Sequence, residues 1–199
     1  RERRQVVWRQ AAAAVVLLVV GAAGGVVGGR LWDDANVARE ARDPSATGQP
    51  MLAGSPGFVR EAQAAHAVFT PEKRHPVEVA ASDEAHLVQW LGRRLGTPLK
   101  APQLGEQGFR LLGGRLLAGE GAPRAQFMYE DGQGRRVTLY IAAFQPGQAP
   151  AETAFRSVRD GPRESFYWVE GAFGYALSAE LPPAELQALA RAVYRQLTR

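Results

Sequence analysis

The chain has 199 residues, of which 46% are hydrophobic and 22% charged, and its formal net charge is +4. This composition fits a globular or membrane-anchored protein and excludes an intrinsically disordered one. No cysteine is present, which excludes disulfides, thiolate metal sites and cysteine nucleophiles. Because four arginines and one glutamate in residues 1–10 hold most of the net charge, the basic balance does not indicate direct nucleic-acid binding.

A long apolar run follows this basic flank. Residues 11–29 (AAAAVVLLVVGAAGGVVGG) contain no charged side chain, and as a helix they would measure about 28 Å, close to the hydrocarbon core of a bilayer at about 30 Å. Trp8 and Trp32 bracket the run as interfacial anchors do. The sequence predicts a transmembrane helix over residues 11–32, and a cleavable signal peptide is the alternative.

The distribution of arginines around this run predicts its orientation. The flank at 1–10 is richer in arginine than the residues after the run, which favours a cytoplasmic N-terminus and a periplasmic C-terminal part in a bacterial inner membrane. Gly21, Gly25 and Gly29 repeat every four residues, a spacing at which two membrane helices can pack as a homodimer. Glycine is common in such helices, so ordinary composition is the alternative.

Residues 33–57 carry three prolines and lack sustained periodicity, so they are predicted to be a linker. Residues 58–199 are predicted to form one α+β domain. Three helices are expected there: one over 58–69, one that begins after the cap Ser82 and ends at Gly96, and one opened by Pro182-Pro183.

Strands are predicted between the second and third helices, after a short strand that starts at His75. FRLLGGRLL (109–117) has a glycine pair typical of a bulge. AQFMYED and RRVTLYIAAF flank a hairpin turn at 131–134, and SFYWVE and FGYALSAE flank another at Gly171-Ala172. The expected architecture is an antiparallel sheet of about five strands, covered on one face by helices.

All three histidines, His66, His75 and His86, fall within 21 residues and are the candidates for a metal or catalytic site. Their spacing matches no short ligand motif, and each is predicted on a different element. Structural histidines are therefore the preferred interpretation, with convergence on a metal as the alternative. No nucleophile elbow or phosphate-binding loop occurs, so neither an enzyme nor a cofactor is predicted.

Two further stretches are candidate binding surfaces. Gly113-Gly114-Arg115 offers backbone amides and a cation, a weak anion site whose simpler interpretation is structural. The aromatic run at 166–168, with Phe173 and Tyr175, alternates between the two faces of a sheet. One face is expected to be core, and the other is either core or a surface for a partner or ligand.

Taken together, these blocks resemble a known family. The apolar helix with its basic flank, followed by AHAVFTPEKRHPVEV, HLVQWLGRRLGTPLKAPQL, GFRLLGGRLL, AQFMYED and FYWVEGAFGYALSAEL, is similar to the bacterial transmembrane anti-sigma factors, which are negative regulators of extracytoplasmic-function sigma factors. The resemblance extends over nearly all of residues 1–199. It implies a membrane anchor in contact with lipid and an outer sensory domain.

In that family an N-terminal cytoplasmic segment binds the sigma factor, and nothing in residues 1–199 matches it. The resemblance therefore implies that sigma-factor binding resides in a segment before Arg1, and that a regulatory protease acts on the linker when a signal arrives. A membrane-tethered periplasmic module that binds a partner protein or a metal ion, unrelated to transcription, is the alternative. A periplasmic enzyme is a third class and requires the histidines to converge in a cleft.

Overall fold

Seven antiparallel strands form one sheet in the computed structural model, which describes residues 55–151 and 153–197. The strands are β1 (Val79–Ala80), β2 (Phe109–Leu117), β3 (Arg124–Asp131), β4 (Arg136–Ala143), β5 (Thr153–Asp160), β6 (Arg163–Glu170) and β7 (Phe173–Ala179). Their order across the sheet is β1-β2-β3-β4-β7-β6-β5. Two three-stranded meanders, β2–β3–β4 and β5–β6–β7, therefore meet where β4 pairs with β7.

The prediction of about five strands is wrong, because the sheet has seven. The missed strand is β5, an edge strand with a register irregularity between Thr153 and Arg156. Arg156, Ser157 and Arg159 are all exposed, so β5 lacks the apolar alternation by which half-buried strands are recognised. The short strand expected from His75 reduces to the two residues of β1.

Both predicted hairpins are confirmed. At the β3–β4 turn the Asp131 carboxylate accepts the backbone N–H groups of Gln133 and Arg135 at 2.9 and 2.8 Å. Gly134 there has φ +78°, a conformation that favours glycine. At the β6–β7 turn, Glu170 pairs with Phe173 across Gly171 and Ala172. These turns set which side chains face each side of the sheet.

Three helices pack on the sheet: α1 (Gly57–Phe69), α2 (Glu84–Leu95) and α3 (Pro183–Leu197). In α2 the predicted stripe of Leu87, Leu91 and Leu95 is buried. The helix ends, as predicted, at Gly96 with φ +75°. Its expected cap differs, because a short 3₁₀ turn at Ala81–Asp83 precedes it and no side chain caps its first turn.

The helices lie on both faces of the sheet, so the prediction that they cover one face is wrong. On one face α1 packs against β4, β6 and β7 through a cluster that includes Phe58, Val59, Tyr140 and Tyr167. On the other face α2 and α3 cover a larger cluster; its largest fully buried members include Trp168, Phe127, Leu139, Ile141 and Leu177. Consecutive residues of β4 thus enter different cores, which explains why nearly every residue of that strand is buried.

A glycine bulge in β2 sets which residues of that strand face each core. The register shifts between Leu111 and Gly113, as the glycine pair predicts. Leu116 consequently packs with the α2/α3 cluster. Arg115 pairs with Gln126 and faces the α1 side of the sheet, where uninterrupted alternation from Phe109 would not have placed it.

Residues 70–78 connect α1 to β1 without regular secondary structure, and we call this segment the strap. Arg136 donates hydrogen bonds to the carbonyl oxygens of Thr70 and Glu72. At the other end of the strap, the Glu78 carboxylate accepts the Leu116 N–H at 3.0 Å. The Arg136 side chain and the backbone of β2 therefore hold the strap at its two ends.

The predicted membrane helix at 11–32 lies outside the described residues, as do the flank at 1–10, the Gly21/Gly25/Gly29 face and most of the linker. Within residues 55–151 and 153–197, no helix combines the length and the apolar surface needed to cross a bilayer. The longest, α3, has 15 residues. The predicted single-pass, inner-membrane arrangement is therefore not supported by this part of the chain.

Candidate functional site

The three histidines occupy three separate elements. His66 is buried in α1, His75 is exposed on the strap, and His86 is exposed in the first half of α2. Among the residues that the structure describes, no three His, Asp or Glu side chains are grouped so that they could hold a metal ion. The fold therefore does not bring the three histidines together as a site. Of the three, His66 is the one that is buried and surrounded by other polar side chains.

His66 belongs to a row of buried polar side chains beneath α1. Its Nδ1 lies 2.8 Å from the Thr138 hydroxyl on β4. Thr138 pairs with Ser178 on β7, whose hydroxyl lies 2.7 Å from that of Ser165 on β6. Burial, with a smaller contribution from the positive charge of Arg163, lowers the pKa of His66 to about 4. The imidazole is therefore neutral near pH 7.

A cavity of about 400 Å³ opens beside this row, at the end of the sheet where α1 stops. Its lining includes His66 and Thr70 from the α1 end, Arg136 from β4, Arg163 from β6, and Glu180, which follows β7. The cavity is therefore lined by two cations and one carboxylate as well as by the neutral polar side chains of His66 and Thr70. Such a mixture of donors and acceptors suits a small polar ligand better than an apolar one.

Most arginine donors around the cavity already have partners. Arg136 donates to Glu130 at 3.1 Å as well as to the strap, and Arg135 forms ion pairs with Asp131 and Glu185 at 2.6 and 2.9 Å. Arg163 pairs with Asp160 at 3.1 Å, but its Nε is buried without a hydrogen-bond partner. Of these three side chains, Arg163 is therefore the one with a buried donor that lacks a hydrogen-bond partner.

A second polar cluster, around Glu61 in the first half of α1, has a structural role. Glu61 accepts hydrogen bonds from Arg124 at 3.0 Å and from the Tyr140 hydroxyl at 2.9 Å. Arg124, which is 2% exposed, also donates to the Ala143 carbonyl oxygen at 2.8 Å. Burial alone would raise the pKa of Glu61, but Arg124 and Tyr140 hold it below its ordinary value. Each charge here is paired and hydrogen-bonded, as a stable buried ion pair requires.

The Gly113-Gly114-Arg115 stretch does not form a loop that presents amides to an anion, because both glycines lie within β2 and pair with neighbouring strands. Arg115 donates through Nη2 to the His75 carbonyl oxygen at 2.9 Å. Its guanidinium carbon lies 3.6 Å from the centre of the Phe69 ring. This arginine therefore fastens the strap to the sheet.

The aromatic run is core on both faces of the sheet. Phe166 and Trp168 belong to the α2/α3 cluster, whereas Tyr167 belongs to the α1 cluster. Trp168 stacks on Tyr175 and Phe155 with ring centres 5.0 Å apart in each pair. Because helices cover both faces, these rings do not form an open surface for a partner.

Comparison with models of known protein families gives no match, and no curated protein matches the chain. The proposals below therefore rest on the residues, the geometry and the resemblance described above.

Sequence reasoning missed the polar residues that the fold brings together on the α1 side of the sheet. Thr138, Ser165 and Ser178 come from three strands; Thr138 and Ser178 each lie between buried apolar neighbours, and Ser165 lies between the buried residues Glu164 and Phe166. A signal was present, since both Thr138 and Tyr140 stand at alternate positions that a one-sided sheet would leave exposed. Only helices on both faces of the sheet make those positions internal.

Proposed function

We propose that residues 58–199 form the regulatory domain of an anti-sigma factor, a protein that sequesters a sigma factor and represses the transcription that depends on it. One observation supports the proposal above others. The sequence blocks that resemble anti-sigma factors coincide with core elements: HLVQWLGRRLG lies in and just after α2, GFRLLGGRLL in β2, AQFMYED in β3 and FYWVEGAFGYALSAEL in the β6–β7 hairpin. Two further parts lie outside regular elements, since AHAVFTPEKRHPVEV continues from α1 along the strap and TPLKAPQL follows α2, so the resemblance extends over core elements and their connections together.

In this proposal the domain has no catalytic role, and its state controls a sigma-binding segment that precedes Arg1. The polar clusters of the described residues favour a regulatory role, because His66, Glu61 and Arg124 each bond to a structural partner. A signal that alters the domain would release the sigma factor, with cleavage of the linker as one route to release.

The test uses the full-length gene product, including any residues before Arg1, and its cognate sigma factor. We expect the two to co-purify and the protein to repress a sigma-dependent reporter. Absence of association in a pull-down would refute the proposal. The coding sequence upstream of Arg1 provides a second test, since a cytoplasmic helical domain beside a sigma-factor gene supports it and a start codon a few residues away opposes it.

A matched pair of variants separates regulation from sigma binding. Gly113→Ala disturbs the β1–β2 contact, whereas Gly132→Ala lies in an exposed turn with nothing within 4 Å of the added methyl group. If the domain regulates, Gly113→Ala changes reporter output while the sigma factor still binds, and Gly132→Ala changes neither. Unchanged output in both variants would contradict a regulatory role.

The second candidate function is a binding module for a small polar ligand, unrelated to transcription. The cavity beside His66, with the unpartnered Nε of Arg163, favours it. Full-length protein that repressed no sigma-dependent promoter, and whose Arg163→Met variant lost binding of a metabolite retained by the parent, would establish this alternative.

A further inference from the structure

A buried arginine, Arg115, lies under the strap. Arg115 is 7% exposed, and within the described part of the chain it forms no ion pair. Its Nη2 donates to the His75 carbonyl oxygen, but its Nε is buried without a partner. Burial lowers the pKa of Arg115, and Glu78 and Glu72 oppose this from beyond ion-pair distance. A buried guanidinium with an unused donor is costly unless something compensates its charge.

The residue opposite Arg115 also has buried polar atoms without hydrogen-bond partners. Gln126 on β3 is the register partner of Arg115 and is 1% exposed. Both its Nε2 and its Oε1 are buried without a hydrogen-bond partner. Side chains at directly paired positions have Cβ atoms about 5 Å apart, so the three unpartnered atoms of Arg115 and Gln126 lie in one neighbourhood.

The Arg115 side chain stays a cation in this environment. The Phe69 ring stacks on its guanidinium, which stabilises the charged form, and Glu78 and Glu72 act in the same direction. A single bound water could satisfy the hydrogen bonds but would add no negative charge to that of Glu78 and Glu72, which form no ion pair with Arg115 among the described residues. An anion satisfies the two N–H donors and the charge together.

We propose that Arg115 and Gln126 form a binding site for a small monovalent anion, either a halide ion or a carboxylate group, which accepts hydrogen bonds from Arg115 Nε and Gln126 Nε2 beneath the strap. The ligand is small because all three polar atoms are buried. This site is distinct from the cavity beside His66 and does not depend on the proposed regulatory function. Since the same guanidinium donates to His75, an anion bound here would also strengthen the attachment of the strap to β2.

The test measures the thermal midpoint Tm of the full chain at constant ionic strength. Sodium gluconate, whose anion is too large for the site, is replaced stepwise by sodium chloride in one arm and by sodium formate in another. We expect Tm to rise saturably, by about 2 °C or more, in at least one arm. A response to chloride alone identifies a halide site, and a response to formate alone identifies a carboxylate site. Equal Tm values in all three salts would overturn the proposal.

Gln126→Glu locates the response. This substitution places a carboxylate next to Arg115, so we expect it to raise Tm in gluconate and to abolish the response to chloride and formate. Gln187→Glu, the same change at an exposed position of α3, should keep the response of the parent. If Gln126→Glu destabilises the protein, or if it retains the full anion response, the site is not between these two residues.

Discussion

Replacing Gly113 by alanine tests the packing of the strap and β1 on the sheet. Gly113 has φ +144°, a backbone conformation that L-residues rarely adopt, and a Cβ at this position would collide with the carbonyl oxygen of Val79 and lie 2.9 Å from Ala80 Cα. The colliding atoms belong to backbone that cannot rotate away. The substitution therefore requires both a strained backbone and a displacement of β1.

The magnitude follows from these two effects. An unfavourable backbone conformation costs on the order of 1–3 kcal/mol, and forcing one methyl group into a packed site typically adds about 1–3 kcal/mol. We therefore expect Gly113→Ala to lower the free energy of unfolding by roughly 3 kcal/mol or more. Gly134→Ala, at φ +78° with nothing within 4 Å, has the conformational cost alone and should lose about 1–2 kcal/mol.

Equilibrium unfolding in urea, followed by far-UV circular dichroism, measures both variants against the parent chain. Gly132→Ala is the control, since its Cβ contacts nothing within 4 Å and its φ is not positive; it should stay within about 0.5 kcal/mol of the parent. If Gly113→Ala unfolds at the same urea concentration as Gly132→Ala, the close approach of β1 to β2 is refuted.

Three other predictions follow from buried or exposed side chains. Because the pKa of His66 falls from 6.5 to about 4 on folding, the unfolded chain binds the extra proton between these values. The contribution of neutral His66 to the free energy of unfolding is therefore fully present above pH 6.5 and falls by up to about 3 kcal/mol as the pH drops towards 4. Urea unfolding of the parent across this pH range should show the loss. An equal loss in His66→Gln would contradict its attribution to His66. Gly174→Ala would place a Cβ 2.8–3.0 Å from the Phe58 ring and should cost about 1–3 kcal/mol, part of which the double variant with Phe58→Leu should regain in the same assay. His75→Gln and His86→Gln should each change stability by less than about 0.5 kcal/mol. Zinc titration of a variant in which His66, His75 and His86 are all replaced by glutamine should match that of the parent; a tight stoichiometric zinc site lost in this variant would reverse the structural interpretation.

Local signals predicted the elements that have clear ends and one buried side. In α2 the leucine stripe and Gly96 fall where the sequence places them. The two hairpins are also at their predicted turns, because Asp131 and Gly134 have side-chain and backbone preferences that act within four residues. Such features depend little on the rest of the chain.

Features that depend on distant packing could not be predicted in this way. β5 is held as a strand by β6 and by contacts such as Phe155 on Trp168, while its own sequence shows exposed arginines. The second covered face of the sheet depends on α1 crossing β4, β6 and β7. The Arg115–Gln126 pair depends on a one-residue bulge, which the sequence suggested without showing which face Arg115 would reach.

The pairing of β4 with β7 also bears on how the domain folds. Within each meander, strands that are neighbours in sequence pair through short connections. By contrast, β5 and β6 lie between β4 and β7 in the sequence, so β4 and β7 can pair only when the chain has closed a loop that contains both of those strands. Closing such a long loop is slow relative to forming a hairpin. Until it closes, β4 presents a free edge that carries Val137, Leu139 and Ile141. Folding is therefore expected to be limited by this pairing, and the half-formed sheet is the species most exposed to mispairing with another chain.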